Sequence, residues 1–390
     1  MKDFAMSQAL PTNMLEMGLF TGAPQAENMS RISEIVPTAT MPASTTPFTW
    51  PVGDPIALPA TYEFDGRTKS TADFLTATDT SSLLVLVDGS VRFEQYWLTG
   101  GPDVRWLSMS VAKSFISALV GIALHEGHIR SIDDAISDYV PVDAGSAYDG
   151  VSIRLVLQMS SGARWNEDYS DAESDVFKIS MAMLGVDGGF DGFIAQMKRE
   201  SDPGTVCRYN SGETQVLGAL LAHATGRSVA DYMAEKLAEP LGFSSDGYWA
   251  VDALGTEMSY AGLNLTARDF AKLGELYRNI GTWGSEQIVP AQWVLDSTTI
   301  DSPIRQPGKP LVGDHAFDLG YGYQWWIPGG GRGDYSAIGV LNQLVYVDPQ
   351  TATVIVKLSA NHLYGTANTE EVNRDNENVE VLRAIARAAH

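Results

Sequence analysis

The pattern of apolar and polar residues predicts two β-hairpins at opposite ends of the chain. Positions 83–87 are apolar and positions 91–96 alternate, with Asp88-Gly89 between them. An Asp-Gly pair between two such runs is typical of a tight turn that joins antiparallel strands. The same reasoning predicts a second hairpin over 343–358 and a strand over 321–327.

Helical periodicity dominates the middle of the chain. The apolar run that starts near Ser110 repeats Phe115, Leu119 and Ile122 at helical spacing, and Gly127 suits its C-terminal end. We therefore expect a largely buried helix there. Further helices are predicted from a capped start at Ser131 and over 211–224, 229–237, 266–277 and 369–389.

Strands and helices at both ends, with helices between them, predict a mixed α/β (α+β) fold. We expect one α/β domain built from residues 76–130 and 300–390, with a mainly helical domain over 131–299 inserted into it. Residues 1–75, rich in Pro, Thr, Ala and Ser, are predicted to form an extended N-terminal arm. This arm could cover a cleft or form a homodimer contact, and both alternatives stay open.

Composition narrows the classes of function. Among the 390 residues, 26 are basic and 48 acidic, a net charge of −22 that disfavours binding to nucleic acid or anionic membranes. The one cysteine cannot form an internal disulfide, and no apolar run is long enough to span a bilayer. We expect a cytoplasmic protein, although a secreted protein without its leader would look the same.

A candidate nucleophile lies at the start of the helix near Ser110. Ser110 and Lys113 form a Ser-x-x-Lys pair, and residues three apart share one face of a helix. The unpaired amides at a helix N-terminus also favour negative charge beside Ser110. A chain of this length contains about one such pair by chance. Alone, the pair is more simply interpreted as a helix cap and a lysine that reaches solvent.

Other hydrolytic and metal motifs are missing from the sequence. It contains neither Gly-x-Ser-x-Gly nor His-Glu-x-x-His, and one cysteine excludes a thiolate metal cluster. We therefore expect neither a metal nor a cofactor. Tyr209 precedes a predicted helix and could point into a cleft, although a packed tyrosine is the simpler interpretation of this residue alone.

Together these segments resemble the serine β-lactamase and penicillin-binding-protein superfamily, within its class C-like branch. Ser110-Val111-Ala112-Lys113 is similar to the first motif of that superfamily and Tyr209-Asn210-Ser211 to the second. The resemblance is closest to 6-aminohexanoate-dimer (nylon oligomer) hydrolases and family VIII carboxylesterases, and covers roughly residues 80–360. Further similar segments are Tyr148-Asp149-Gly150, Trp165-Asn166-Glu167-Asp168-Tyr169, Leu265-Thr266-Ala267-Arg268-Asp269, Gln324-Trp325-Trp326 and Ile338-Gly339-Val340.

The resemblance implies a β-lactamase-like fold, with an antiparallel sheet flanked by helices, and a set of catalytic roles. Ser110 would attack the substrate carbonyl and Lys113 would take its proton. Tyr209 would relay that proton to the leaving group. The oxyanion would lie between the backbone amides of Ser110 and Val340. Which of Lys113 and Tyr209 is the principal base stays open.

Departures from the superfamily pattern narrow the range of expected substrates. Ala337-Ile338-Gly339 stands where β-lactamases have Lys-Thr-Gly, so an anionic β-lactam loses a charge-assisted contact. Tyr169, Trp326 and Gly339 are candidate substrate-binding residues.

Two further candidates for substrate binding depart from the nylon oligomer hydrolases. Ser180 stands where an aspartate can bind the ammonium group of the substrate, and Tyr260 replaces an asparagine. Asp171 and Asp175 are possible replacements for the missing aspartate.

These features predict a serine hydrolase for carboxylic esters of small to medium acyl groups, with small amides as a further class. Esters are the easier substrates because their leaving groups need less proton assistance. The alternative is an amidase of the 6-aminohexanoate-oligomer type. A β-lactamase or D-Ala peptidase and a non-catalytic penicillin-binding-like sensor are less favoured. The expected partner is a small-molecule ester or amide.

Overall fold

A seven-stranded sheet forms the centre of the molecule. The computed structural model describes residues 14–20, 25–312 and 315–389. All neighbouring strands in the sheet are antiparallel, and both ends of the chain contribute to it, as predicted. In sheet order the strands are Leu319–Tyr321, Trp326–Pro328, Tyr335–Gly339, Gln343–Asp348, Thr353–Ser359, Thr80–Val87 and Ser90–Tyr96.

Both predicted hairpins are confirmed, but the single strand predicted over 321–327 is wrong. The chain instead forms two short strands, Leu319–Tyr321 and Trp326–Pro328, which pair with each other. Between them Gln324 adopts a left-handed φ of 62°, which a strand cannot accommodate. Its buried amide donates to the Leu157 carbonyl at 2.9 Å, so a tertiary contact stabilises this turn.

Helices cover both faces of the sheet because its side chains alternate between two apolar clusters. Val354 and Val356 belong to the cluster that contains helix Ala267–Arg278. Ile355, between them, belongs to the cluster that contains helix Asp375–Ala388. This alternation is the expected consequence of the two-residue period of a strand. The observed architecture is therefore the predicted antiparallel sheet flanked by helices.

The C-terminal helix is interrupted where the sequence predicted continuity over 369–389. Helix Glu370–Asn373 ends at Arg374, whose φ is 58°, and helix Asp375–Ala388 begins immediately afterwards. The Arg374 guanidinium donates to Glu377 Oε2 at 2.7 Å and lies over the Phe74 ring. These contacts stabilise a left-handed residue that ends the first helix.

The inserted region is mainly helical. Its helix Ser211–Thr225 packs against helix Ala112–His125, which precedes the insertion in sequence. The predicted helices near 211, 229 and 266 are confirmed. The others in the described chain are Gln25–Met29, Ile32–Ile35, Thr71–Ala77, Ile153–Leu157, Asp175–Met181, Gly189–Ala195, Val229–Met233 with its π-helical continuation Ala234–Ala238, and Ala291–Ser297.

The helix predicted from Ser131 does not form. Ser131 Oγ accepts a hydrogen bond from the Asp133 amide at 3.1 Å, as a cap would, but only the 3₁₀ turn Ile136–Asp138 follows. The Ile136 amide donates to the Val151 carbonyl at 2.7 Å instead of joining a helix. A contact between distant segments therefore overrides the local capping signal.

A second, four-stranded sheet holds the segment that precedes Ser110. Its strands, in sheet order, are Thr38–Met41, Gly247–Ala250, Leu263–Leu265 and Trp106–Leu107. Two-stranded sheets pair Thr61–Phe64 with Arg67–Ser70, Thr282–Trp283 with Glu286–Gln287, and Lys309–Val312 with His315–Phe317. Among the described helices, none is both long and apolar enough to cross a membrane. The predicted domain boundaries stay a prediction.

Candidate active site

Ser110 lies in a strained turn between a strand and a buried helix. Strand Trp106–Leu107 leads into the 3₁₀ turn Met109–Val111, which continues as helix Ala112–His125. Met109, directly before Ser110, has a φ of 44°, a conformation that costs a non-glycine residue about 1–3 kcal/mol. The Ser108 amide donates to the Leu263 carbonyl at 2.7 Å. This bond anchors the turn to the four-stranded sheet.

The Lys113 amine lies beside the Ser110 hydroxyl. Lys113 Nζ donates to Ser110 Oγ at 2.9 Å, to Ser211 Oγ at 3.1 Å and to the Tyr260 carbonyl at 3.0 Å. The side chain is only 1% exposed. Burial lowers the pKa of Lys113 to about 7, against the opposing charge of Glu167. A substantial fraction of neutral amine is therefore available near neutral pH to accept a proton from Ser110.

Tyr209 completes the predicted catalytic group. Its side chain lines the same cavity as Ser110, and its ring lies 5.1 Å from Lys113 Nζ. Trp326 packs against the same ring, with centroids 5.0 Å apart. Burial raises the pKa of Tyr209 well above its ordinary value. The phenol therefore keeps its proton, which suits a proton relay better than a resident base.

Glu167 is a component of the site to which the sequence assigned no role. Its Oε1 accepts hydrogen bonds from Ser211 Oγ at 2.6 Å and from the Tyr169 hydroxyl at 2.9 Å. Its Oε2 accepts from the Ser211 amide at 3.1 Å and from the Trp165 indole. Ser211 thus connects the Glu167 carboxylate to Lys113. The position of Glu167 within the Trp165–Tyr169 motif was the available sequence signal, but the contact between Glu167 and Ser211 depends on the tertiary fold.

The end of one strand of the seven-stranded sheet approaches Ser110 at Gly339. This residue ends strand Tyr335–Gly339, and an added Cβ there would lie 2.8 Å from the Ser110 amide nitrogen and 2.8 Å from the Ser108 carbonyl oxygen. Only glycine permits such an approach without displacement. The next residue, Val340, lines the same cavity as Ser110. The two residues predicted to form the oxyanion hole, Ser110 and Val340, therefore line one cavity.

A narrow cavity opens over Ser110 and contains three of the predicted substrate contacts, Tyr169, Trp326 and Gly339. No lysine, arginine or histidine is among its described lining residues. The full lining is Ser110, Glu167, Tyr169, Tyr209, Val312, Leu319, Trp326, Ile338, Gly339, Val340, Tyr364, Asn368, Asn373 and Asp375.

Ser180 and Tyr260 are not brought to this cavity. Ser180 is completely buried on helix Asp175–Met181, and its hydroxyl donates to the Phe177 carbonyl at 2.7 Å. Tyr260 lies behind the lysine, with its carbonyl bonded to Lys113 and its ring 5.7 Å from Nζ. Its role in the structure is therefore to support Lys113. Neither Asp171 nor Asp175 lines the cavity.

Aromatic rings form one wall of the cavity. Tyr169 stacks on Phe20 with centroids 5.3 Å apart and meets the edges of Phe177 and Tyr364. Phe20 belongs to the N-terminal region, so part of the predicted arm packs behind this wall. The sequence interpretation also missed the C-terminal lining residues Tyr364, Asn368, Asn373 and Asp375. The last two fall within 369–389, which was predicted to be a single helix.

Comparisons with known families and proteins show what this chain is similar to. The β-lactamase family model matches residues 69–376. The 6-aminohexanoate-dimer hydrolase of Paenarthrobacter ureafaciens is 32% identical over 298 residues, which cover 73% of this chain and 74% of that relative.

Solved structures share the fold. A Bacillus anthracis protein, provisionally assigned as a 6-aminohexanoate-dimer hydrolase, superposes with a TM-score of 0.80 at 22% identity, covering 94% of this chain and 95% of that chain. A family VIII carboxylesterase superposes with a TM-score of 0.60 at 16% identity, covering 81% of this chain and 95% of that chain. At these identities the likeness concerns the fold alone.

Proposed function

Because the chain belongs to the β-lactamase family and is a serine hydrolase, we propose that it cleaves carboxylic esters through an acyl-enzyme on Ser110, with small amides as a further substrate class. The observation that carries this proposal is the 2.9 Å hydrogen bond between Lys113 Nζ and Ser110 Oγ, made by a buried lysine whose pKa is lowered to about 7. A nucleophile beside a base that is neutral in a substantial fraction of the molecules is the arrangement that acyl transfer requires.

In the acylation step Ser110 Oγ forms a bond to the substrate carbonyl carbon while its proton passes to Lys113. The resulting oxyanion lies between the backbone amides of Ser110 and Val340, where preorganised donors stabilise the charge. The bond to the leaving group then breaks, and Tyr209 donates a proton to that group. Lys113 returns its proton to Tyr209, so the site ends neutral and acylated.

Deacylation uses the same groups in reverse order. Water attacks the acyl carbon as its proton passes through Tyr209 to Lys113. The bond between the acyl carbon and Ser110 Oγ then breaks, and Lys113 returns the proton to Ser110 Oγ as the carboxylic acid forms. We assign the role of principal base to Lys113, because burial lowers the pKa of this amine and raises that of the Tyr209 phenol. Tyr209 then acts as the relay between lysine and leaving group.

The charge of the cavity supports neutral or cationic substrates over anionic ones. Glu167 and Asp375 both line it, and no basic side chain does so among the described residues. Ala337 stands where the Lys-Thr-Gly motif of β-lactamases supplies a cation. A β-lactam carboxylate would therefore meet carboxyl groups without a compensating charge.

An amidase of the 6-aminohexanoate-oligomer type is the second candidate. Two observations favour it: the relative of that name is 32% identical to this chain, and Tyr169 lines the cavity with Ser110. Amide leaving groups need stronger proton assistance than ester leaving groups. The ester reaction is the less demanding one and stays the first candidate.

Turnover of four substrates distinguishes these functions. The purified protein and its Ser110→Ala variant are assayed on p-nitrophenyl acetate, p-nitrophenyl butyrate, a chromogenic cephalosporin and the linear 6-aminohexanoate dimer. We expect Ser110-dependent hydrolysis of the two esters above the others. Faster turnover of the dimer would favour the amidase, and no Ser110-dependent turnover of any compound would contradict the hydrolase mechanism proposed here.

A further inference from the structure

A second groove lies beside helix Asp175–Met181, away from Ser110. Its volume is about 500 Å³, within the range of small-molecule binding sites. Among the described residues, none lines both this groove and the cavity over Ser110. The side chains that matter for its chemistry are Arg164, Lys178, Met181, Val186, Phe193 and Lys198.

Exposed apolar side chains form one side of the groove. Met181, Leu184 and Val186 all line it and are 51%, 36% and 61% exposed to solvent. Phe193 adds to the apolar surface, with its ring edge-on to Trp165 at a centroid distance of 6.5 Å. Proteins seldom expose grouped apolar side chains except where they bind something. This side of the groove suits a hydrocarbon chain.

Three cationic side chains line the same groove, those of Arg164, Lys178 and Lys198. Two of them are neighbours across paired backbone segments. Ala163 and Arg199 form an antiparallel bridge, and the Arg164 amide donates to the Lys198 carbonyl at 2.8 Å. Like charges that face each other across such a pair destabilise the fold. A bound anion would offset this repulsion.

The protein itself neutralises these cations only in part. The amines of Lys178 and Lys198 have no hydrogen-bond or ion-pair partner within the described part of the chain. Arg164 lies 3.9 Å from Asp175 Oδ2, an oxygen that also accepts from a backbone amide at 2.8 Å. Asp187 is the other carboxyl group of the lining. Three cations and two carboxylates leave the groove positive on a chain whose net charge is −22.

We propose that this groove binds an aliphatic carboxylate, with its chain on Met181 and Val186 and its charged end at Lys178 and Lys198. A hydrogen bond between an ammonium group and a carboxylate is stronger than one between neutral groups. The acid released by ester cleavage at Ser110 belongs to this class of ligand. Only that source of the ligand rests on the hydrolase function proposed above, and the binding site itself does not.

Ligand binding tests the proposal without any catalytic step. Isothermal titration calorimetry compares hexanoate with 1-hexanol, which lacks the charge, and with acetate, which lacks the chain. For the unmodified protein we expect hexanoate to bind about tenfold or more tightly than either, because the groove recognises both parts. Equal or undetectable binding of hexanoate relative to hexanol would overturn the proposal, and so would equal binding of acetate.

A pair of double variants locates the binding. The preference for hexanoate over hexanol should disappear in Lys178→Gln/Lys198→Gln. It should persist in the matched control Arg67→Gln/Lys309→Gln, which removes the same charge from two exposed residues outside the groove. A preference that survives in the first variant would assign the carboxylate to another site, and a preference lost in both would assign it to net charge. Either result would overturn the proposal.

Turnover of p-nitrophenyl butyrate distinguishes this site from the catalytic one. We expect kcat/KM in Lys178→Gln/Lys198→Gln to stay within about twofold of the unmodified protein, because neither lysine lines the cavity over Ser110. A loss of tenfold or more in a variant whose circular dichroism is unchanged would contradict a separate site. If no ester shows Ser110-dependent turnover, the hydrolase function fails, and calorimetry still decides whether the groove takes a carboxylate.

Discussion

Lys113 Nζ lies 2.9 Å from Ser110 Oγ, in a position where only 1% of the lysine is exposed to solvent. One turn of helix holds the two groups together, and the surrounding core removes the water that would otherwise keep the amine protonated. Burial disfavours the protonated form of this lysine, and the neutral amine that results can act as a base. The catalytic proposal depends on this pairing.

Replacement of Lys113 should abolish most activity and leave the fold intact. We expect Lys113→Met to lower kcat about 10²–10⁴-fold on p-nitrophenyl butyrate, because the serine loses its general base. Steady-state kinetics measure the loss. The matched control is Lys357→Met, which removes another fully buried lysine, on strand Thr353–Ser359 and outside the cavity. A similar loss in that control would attribute the effect to packing instead of catalysis.

The pH dependence of turnover should report the Lys113 amine. Since the base must be neutral and its pKa is lowered to about 7, kcat/KM should rise with pH through about 7 and then level off. The Glu167 charge raises the pKa of Lys113. The rise should therefore move to lower pH in Glu167→Gln, although the maximum rate also falls because a glutamine accepts on one oxygen only, so one of the two Ser211 donors loses its acceptor.

The control for this pH shift is Glu213→Gln. Glu213 is also a buried carboxyl, but it accepts from Ser161 and is not among the groups that act on the Lys113 pKa. Its profile should keep the midpoint of the unmodified protein. A midpoint that moves upward in Glu167→Gln, or equally in both variants, would contradict the coupling of Glu167 to Lys113.

The effect of Tyr209→Phe should depend on the leaving group. We expect kcat/KM to fall about 10²–10⁴-fold for an alkyl ester, whose alkoxide must receive a proton as it leaves. The loss should be smaller for the matching p-nitrophenyl ester, because nitrophenolate leaves without protonation. Equal losses on both esters would mean that Tyr209 does not deliver the proton to the leaving group.

A methyl group at Gly339 should disrupt the site. In Gly339→Ala the added Cβ would lie 2.8 Å from the Ser110 amide nitrogen, so the end of strand Tyr335–Gly339 or the turn that contains Ser110 must shift. We expect kcat to fall about 10²–10³-fold, the range for loss of an oxyanion donor. Gly101→Ala, where the added atom meets only the Val104 side chain at 3.1 Å, should keep its activity. Full activity in Gly339→Ala would exclude this tight approach.

The local pattern of the sequence was sufficient to predict most of the elements that hold Ser110, whereas its role as nucleophile rests on the resemblance of several motifs to a family and stays a prediction. The apolar run after Ser110 is long enough to identify its helix, and the Asp-Gly pair at 88–89 identifies the first hairpin. Ser110 and Lys113 are three residues apart, so their contact depends on one turn of helix. Such short-range features can be read without knowledge of the tertiary fold.

The rest of the site depends on contacts between segments distant in sequence. Glu167 meets Ser211 across 44 positions, and no local pattern distinguishes it from a solvated glutamate. Asp375 reaches the cavity after Arg374 breaks a helix that the sequence predicted to be continuous. Ser180 was predicted to contact substrate by resemblance, but its helix turns the hydroxyl inward onto the Phe177 carbonyl.

The central claim is an acyl-enzyme on Ser110, and intact-protein mass spectrometry tests it most directly. The protein is mixed with p-nitrophenyl butyrate, quenched in acid during turnover, weighed, and mapped by peptide fragmentation. We predict a mass increase of one butyryl group on the Ser110 side chain, and none in Ser110→Ala. A butyryl group on a different residue would contradict the mechanism. Rapid ester turnover without a butyryl adduct, either in the unmodified protein or in Lys113→Met, would contradict it as well.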